Sequence, residues 1–204
     1  MANLDYLQFD TPWKLLNELQ RLALLPLVRY TFMSAQIAWG TGWKIYGIPI
    51  IQRCRYSTIV FGANLQLRST ARSNPLGPNR PVIICTLRRG ANLIIGDSFG
   101  MSGGSIVAQT GIHIGQRVAV GANTIICDTD FHPLFPEMRR TVSDQGEAAP
   151  IEIEDDVFVG MQCLILKGVT IGCGSVIGAG SVVTKSLPPR VIAAGNPARV
   201  IREI

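Results

Sequence analysis

Between Ile153 and Val182 an aliphatic residue returns at every sixth position: "IEDDVF", "VGMQCL", "ILKGVT", "IGCGSV" and "IGAGSV" follow one another in phase. A six-residue beat is neither the 3.6 period of a helix nor the simple alternation of a two-faced strand. Six residues suffice for one short strand and one turn. The aliphatic side chain at the first position points inward, glycine at the second tolerates the turn backbone, and a small or β-branched residue at the fifth fits a corner. No hexad can bury its own aliphatic residue, so hexads must stack, and stacking them gives a parallel β-helix around an aliphatic axis. The beat is already present as "IGDSFG" from Ile95 and "MSGGSI" from Met101. It slips by one residue near His113, then resumes as "IGQRVA" from Ile114, "VGANTI" from Val120 and "ICDTDF" from Ile126. Twenty-one glycines and only 16% charged residues agree with an all-β, turn-rich chain.

Before the repeats the periodicity is helical. Residues 11–38 read as helix, with Thr11 as a cap, Pro12 at the first position, and Trp13, Leu15, Leu16, Leu19, Leu22 and Ala23 at helical spacing. Pro26 is expected to kink or divide it. Two roles are open for this segment. It can close the core of the following domain, or lie in a membrane interface with Arg21 and Arg29 near headgroups and Trp39 and Trp43 close behind. The expected organisation is an N-terminal helical segment over residues 1–45 and a β-helix domain over residues 46–204. Within the second, "SNPLGPNRP" is a loop.

Charge is distributed unevenly. Residues 19–96 contain no Asp or Glu, whereas ten arginines and lysines fall there, including Arg68, Arg72, Arg88 and Arg89. Such a basic half suits an anionic membrane surface or a phosphorylated substrate. Nucleic acid is not expected, because the arginines are not interleaved with stacking aromatics. The five cysteines form no C-x-x-C pair and no secretory leader is read, so reduced thiols in a cytoplasmic protein are expected. No uncharged apolar run approaches the length of a membrane span.

The regular beat opens at "NTIICDTDFHPLFPEMRR", residues 123–140, around His132, one of only two histidines. Flat β-helix faces offer no cleft, and an extruded loop, here residues 127–152, supplies a wall that carries a side chain over a neighbouring surface. An imidazole there is suited to removing a proton from a poor nucleophile. Asp130 is a candidate to fix its tautomer, and Asp128 fits a structural turn. His113, where the beat slips, reads as a surface or inter-coil residue.

These stretches resemble the hexapeptide-repeat acyltransferases, whose fold is a left-handed parallel β-helix of triangular section. "DTDFHPL" is similar to the loop that carries the catalytic histidine of the sugar and polysaccharide O-acetyltransferases. "VFVGMQCLILKGVTIGCGSVIGAGSVVTKSLP" resembles their coenzyme A-binding coils, and "VIAAGNPARVIREI", within the closing segment 186–204, their helix end. Left-handedness comes from this resemblance, since the general preference is for right-handed crossovers.

The resemblance implies acetyl-CoA as donor and a closed homotrimer with the donor groove between subunits. Gly160 and Met161 match the coil edge whose backbone N–H faces the thioester, and Ala179 a small residue beside the pantetheine arm. Thr184, Lys185, Arg199 and Arg202 match positions that hold the arm and the nucleotide phosphates. Ser102 and Phe158 match acceptor-side positions, and His132 the general base. The implied acceptor is a sugar of a surface- or exopolysaccharide precursor. The basic first half fits an acceptor carrying phosphate, such as a lipid diphosphate-linked glycan at the inner face of the membrane, met by a cytoplasmic enzyme in peripheral contact with it. Transfer to the amine of an amino sugar uses the same base and groove and stays open, as does a non-catalytic β-helix scaffold. A γ-type carbonic anhydrase requires three histidine positions for zinc where this chain has two histidines, so no metal is expected. Serine acetyltransferase is disfavoured by the shortness of the N-terminal segment.

Overall fold

The hexads fold as their spacing requires. The computed structural model describes residues 11–140 and 146–204. Residues 1–10 of the expected N-terminal segment and 141–145 of the expected loop lie outside them. The chain winds through six coils on three parallel sheets, a left-handed parallel β-helix. The first coil is β1 (Lys44–Tyr46), β2 (Ile50–Arg53) and β3 (Thr58–Phe61), and the second β4 (Gln66–Arg68), β5 (Ile83–Thr86) and β6 (Asn92–Ile95). The third is β7 (Gly100–Ser102), β8 (Ser105–Ala108) and β9 (Gly111–Ile114), and the fourth β10 (Ala119–Val120), β11 (Ile125–Cys127) and β12 (Ile151–Ile153). The fifth is β13 (Phe158–Val159), β14 (Leu164–Ile165) and β15 (Thr170–Ile171). The sixth has β16 (Val176–Ile177) and β17 (Val182–Val183), and Leu187 completes it by bridging to Ile171. A closing hairpin, β18 (Val191–Gly195) and β19 (Ala198–Glu203), ends the first sheet.

The first-position residues form three buried columns. Leu67, Met101, Val120, Val159 and Ile177 stack in the first sheet; Ile84, Ile106, Ile126, Ile165 and Val183 in the second; Phe61, Ile95, Ile114, Ile153 and Ile171 in the third. All are buried. Each isoleucine placed there contributes on the order of 1.5–3 kcal/mol. The slip near His113 is the sum of two departures from the beat: Ile106 to Ile114 is eight residues, and Met101 to Ile106 is five, across Gly103 and Gly104. Both have positive φ, +59° and +81°, and a Cβ on Gly104 would meet the Thr124 carbonyl oxygen at 2.0 Å. This tight corner brings Ile106 rather than Val107 onto the axis. His113 is exposed on β9, its Nδ1 2.7 Å from Glu152 Oε1 on the next coil.

The carboxylates of residues 154–156 and Asp97 belong to the corner between the third and first sheets. Asp97 Oδ1 accepts from Ala63 N, Asp155 Oδ1 from Gln116 N and Glu154 Oε2 from Cys173 N. Arg117 forms a two-pronged pair with Asp156 at 2.6 and 2.8 Å.

Among the described residues one α-helix, α1 (Pro12–Ser34), precedes the coils. It ends four residues before the expected boundary at residue 38, and Pro26 lies inside it without dividing it. The carbonyl that loses its donor to Pro26 belongs to Leu22, which is exposed and can be hydrated. Phe32, Trp39, Trp43 and Phe61 pack with ring centroids 4.9–6.0 Å apart and plug the open end of the β-helix. Arg53 holds the helix end, donating to Ala35 O at 3.0 Å. The end of α1 therefore closes the core, while Trp13, Leu16, Leu19 and Tyr30 remain exposed. No helix among the described residues is long and apolar enough to cross a membrane.

Candidate functional site

Along the outside of the first sheet the small residues of successive coils leave a groove of about 520 Å³. It brings together five of the residues marked in the sequence: Ser102, Phe158, Gly160, Met161 and Ala179. Phe158 is half-exposed on its wall. Ser102 Oγ accepts from Asn74 Nδ2 at 2.9 Å, so the proline-rich loop between β4 and β5 is tied to the groove.

The corner between the first and second sheets edges this groove. Gly160 is required there by close approach, because a Cβ would meet Ala179 N at 2.6 Å and Ile177 O at 2.9 Å. Its N–H, however, donates to Ile177 O at 2.8 Å within the ladder. Of the expected donor pair, then, Gly160 is committed to coil packing. The N–H groups of Met161 and Ala179 have no acceptor among the described residues.

The other expected donor-site residues lie beyond the groove's end. Gly178 abuts Ala194, with 2.8 Å between its would-be Cβ and the alanine methyl, and Ala194 pairs with Arg199 across the closing hairpin. Arg199, Arg202, Thr184 and Lys185 are exposed. None of the three cations pairs with a carboxylate among the described residues. Arg199 donates only to Ala198 O, and Arg202 only to Glu203 O.

His132 sits elsewhere. Its loop leaves β11 of the second sheet and returns to β12 of the third, and no described residue of that loop lines the groove. The loop base is rigid for identifiable reasons. Asp128 is fully buried, and its carboxylate accepts from the backbone N–H groups of Gln109, Thr110 and Gly111 at 2.6–2.8 Å and from the Thr110 hydroxyl at 2.8 Å. Thr129 bridges to Ala148 and donates to Gln109 Oε1 at 3.1 Å. Asp130 N donates to Glu147 O, and Asp130 Oδ2 accepts from Lys167 Nζ at 2.7 Å. An orienting bond from Asp130 to the imidazole would be shared with that ammonium. His132 is exposed, and its N–H donates to Asp130 O across Phe131, which has φ +62°.

Gln109, Gly146 and Lys167 hold this loop, and sequence reasoning did not select them. Lys167 carried the one available signal, a charge that interrupts the hexad "ILKGVT". Gly146, on the returning segment, lies flat against the outgoing one, and a Cβ there would fall 2.7 Å from His132 N and 2.8 Å from Phe131 C. Both are backbone atoms and cannot swing aside. Gly146→Ala is expected to cost about 1–2 kcal/mol and to accelerate hydrogen exchange of the amides on either side of His132. Unchanged protection in that loop would show that the two backbones do not depend on each other.

Six coils, a groove on one prism face and an extruded loop at another corner define a hexapeptide-repeat β-helix. A family model described as hexapeptide repeat of succinyl-transferase matches residues 150–185. The galactoside O-acetyltransferase of Escherichia coli K12 is 43% identical over 116 residues, 56% of this chain and 56% of that protein. The galactoside O-acetyltransferase of Lactococcus lactis is 41% identical over 100 residues, 49% and 47% of the two chains. The chain thus spans about half the length of the curated relatives it matches. Among solved structures, an N-acyltransferase from Bacillus cereus in complex with dTDP and 3-hydroxybutyryl-CoA has a TM-score of 0.62 at 18% identity, covering 87% of this chain and 86% of its own. A hexapeptide-repeat-containing acetyltransferase from Vibrio cholerae has 0.51 at 23% identity, over 100% and 93%. At such identities the likeness is one of fold. Repeat and fold are thus those of a hexapeptide-repeat β-helix, and over about half its length the sequence is similar to galactoside O-acetyltransferases.

Proposed function

We propose that the protein transfers an acetyl group from acetyl-CoA to a sugar hydroxyl, with His132 as general base. The groove carries this reading: a channel of Gly, Ala and Val surface, edged by the N–H groups of Met161 and Ala179, which have no acceptor among the described residues. A flat, amide-bearing arm such as pantetheine suits such a channel. Kinship with galactoside O-acetyltransferases over half the chain supports the sugar hydroxyl as acceptor.

In this mechanism a His132 ring nitrogen takes the hydroxyl proton as the oxygen attacks the thioester carbonyl carbon. The resulting oxyanion is held by the Met161 N–H. When the C–S bond breaks, the coenzyme A thiolate leaves and takes back the proton from the imidazolium. No acyl-enzyme is involved. Burial pushes the Cys127 thiol above its ordinary value, and its S–H donates to Thr129 O, so it is a poor nucleophile. Asp130 steadies the imidazole from within its pair with Lys167. Ser102 and Phe158 contact the acceptor, and Thr184, Lys185, Arg199 and Arg202 hold the donor's arm and phosphates.

Because His132 and the groove lie on different corners of one chain, the working site is assembled between copies, in a closed three-fold trimer. Exposed Phe131, Leu134 and Phe135 on the loop supply apolar surface for that contact. The acceptor is a lipid-linked glycan precursor met at the inner face of the membrane, a reading supported by the exposed Trp13 and Leu16 beside Lys14. Calorimetry of acetyl-CoA binding to wild type and Arg199→Glu tests the proposal. The charge reversal is expected to weaken binding at least tenfold. No binding by the folded wild-type protein would retire the enzyme and leave a scaffold.

A further inference from the structure

A second concavity, about 650 Å³, opens between the start of α1 and the first two coils. Three of its walls are cationic: Lys14 from the helix, Arg68 from β4 and Arg72 from the turn that follows. None of the three pairs with a carboxylate among the described residues. Among the described residues the acid close by is Glu18, held by Arg21 at 2.8 Å and by the Tyr46 hydroxyl. Arg68 lies over the Tyr46 ring, 4.6 Å from its centroid, and donates from Nη1 to Ser73 O. Its Nε and Nη2 groups have no acceptor among the described residues. The Arg72 guanidinium and the Lys14 ammonium are likewise without one. Three like charges in one concavity, uncompensated among the described residues, favour a multivalent anion there.

The position of this cavity relative to the groove says what the anion is attached to. Arg68 and Asn74 line both spaces, and Asn74 donates to Ser102 within the groove. A ligand can therefore extend from Ser102 and Phe158 to the three cations without leaving the surface. In the cavity wall the half-exposed Trp13 offers a face for a sugar ring or a hydrocarbon chain. Arg88 and Arg89, the most conspicuous basic pair in the sequence, do not take part. They lie between β5 and β6, at the corner from which the His132 loop springs two coils later, and Arg89 stacks over Tyr56 at 4.2 Å.

We infer that this cavity is a phosphate site for the acceptor, which is a saccharide carrying phosphate or diphosphate. The inference rests on the proposed acetyl transfer for the word acceptor, but not for the site itself. A free sugar phosphate and a lipid diphosphate-linked glycan share the required chemistry.

Inorganic pyrophosphate is the probe, titrated calorimetrically with coenzyme A in excess so that any donor site is blocked. Lys14 and Arg72 are exposed, so Lys14→Glu/Arg72→Glu is expected to keep the wild-type melting curve while weakening pyrophosphate binding at least tenfold. Galactose 1-phosphate is expected to follow the same pattern and free galactose is not. In wild type the affinity should fall as salt rises. Flotation with vesicles, with and without a polyprenyl diphosphate-linked sugar, separates the two sources. Capture only by sugar-bearing vesicles identifies the lipid-linked form, and capture by neither identifies the soluble one. Pyrophosphate affinity equal in wild type and variant, or absent in wild type, overturns the site. Loss of binding to plain anionic vesicles with pyrophosphate affinity unchanged would assign the cations to headgroups and overturn it as well. Failure of acetyl-CoA binding in the Arg199 experiment leaves the pyrophosphate result intact, so the two proposals fail separately.

Discussion

His132→Ala is expected to lower the rate of acetyl transfer by 10²–10⁴-fold, the usual contribution of a positioned general base. Acetyl-CoA affinity should be unchanged, because the groove proposed for the donor is lined by no described residue of the His132 loop. A sugar hydroxyl cannot attack a thioester at a useful rate unless its proton is being removed. The loss should therefore appear in kcat, with little change in KM for the donor. His132→Gln separates ring chemistry from loop shape: it keeps a polar side chain of similar reach but cannot accept and return the proton. Equal losses in both variants support the base. Activity within about threefold of wild type in either would remove His132 from the mechanism and direct attention to His113, the other imidazole.

Asp128→Ala is expected to be the most destabilising single change outside the aliphatic columns, at about 3–5 kcal/mol. The carboxylate is fully buried and accepts four hydrogen bonds, three of them from consecutive backbone N–H groups. Each buried donor left without an acceptor costs roughly 1–3 kcal/mol, and the terms are not additive. Against a total stability of about 5–15 kcal/mol such a loss is large. It should appear as a lower urea midpoint with an unchanged slope. Asp128→Asn keeps one acceptor oxygen but turns an NH₂ toward backbone donors, so it should fall between the two. A loss below about 1 kcal/mol for Asp128→Ala would mean that water replaces the carboxylate without cost. Because Asp128 ties the loop base to the corner of the previous coil, both variants should also loosen the loop that carries His132.

These two residues show how differently the chain discloses its parts. His132 was conspicuous because it interrupts a regular beat, and interruption of a repeat is visible in one dimension. Asp128 was legible as a turn residue, but its partners, Gln109 to Gly111, lie a coil away, and nothing in the spacing names them. Gly160 and Met161 were matched together to the coil edge that bears the oxyanion donor. The Gly160 N–H is taken by Ile177 O, and the Met161 N–H has no acceptor among the described residues. A one-residue difference of this kind depends on which peptide plane turns outward at the corner, and the hexad pattern repeats without stating it. Pro26, expected to divide the helix, is tolerated because the carbonyl it deprives is exposed.

The repeat by itself determined the coil, the inward columns and the opening at the loop. Each follows from local strand-and-turn geometry repeated every six residues, and burial of the aliphatic column allows one phase. Only the tertiary structure decided which corner the loop leaves, and that Gly146 presses on the backbone of His132. It also decided that Lys14, Arg68 and Arg72 face one cavity while Arg88 and Arg89 face another side. The physical reason is stacking: residues on one prism edge become neighbours through the number and length of the intervening turns. Loops such as the proline-rich turn after β4 change that count without disturbing the hexads on either side.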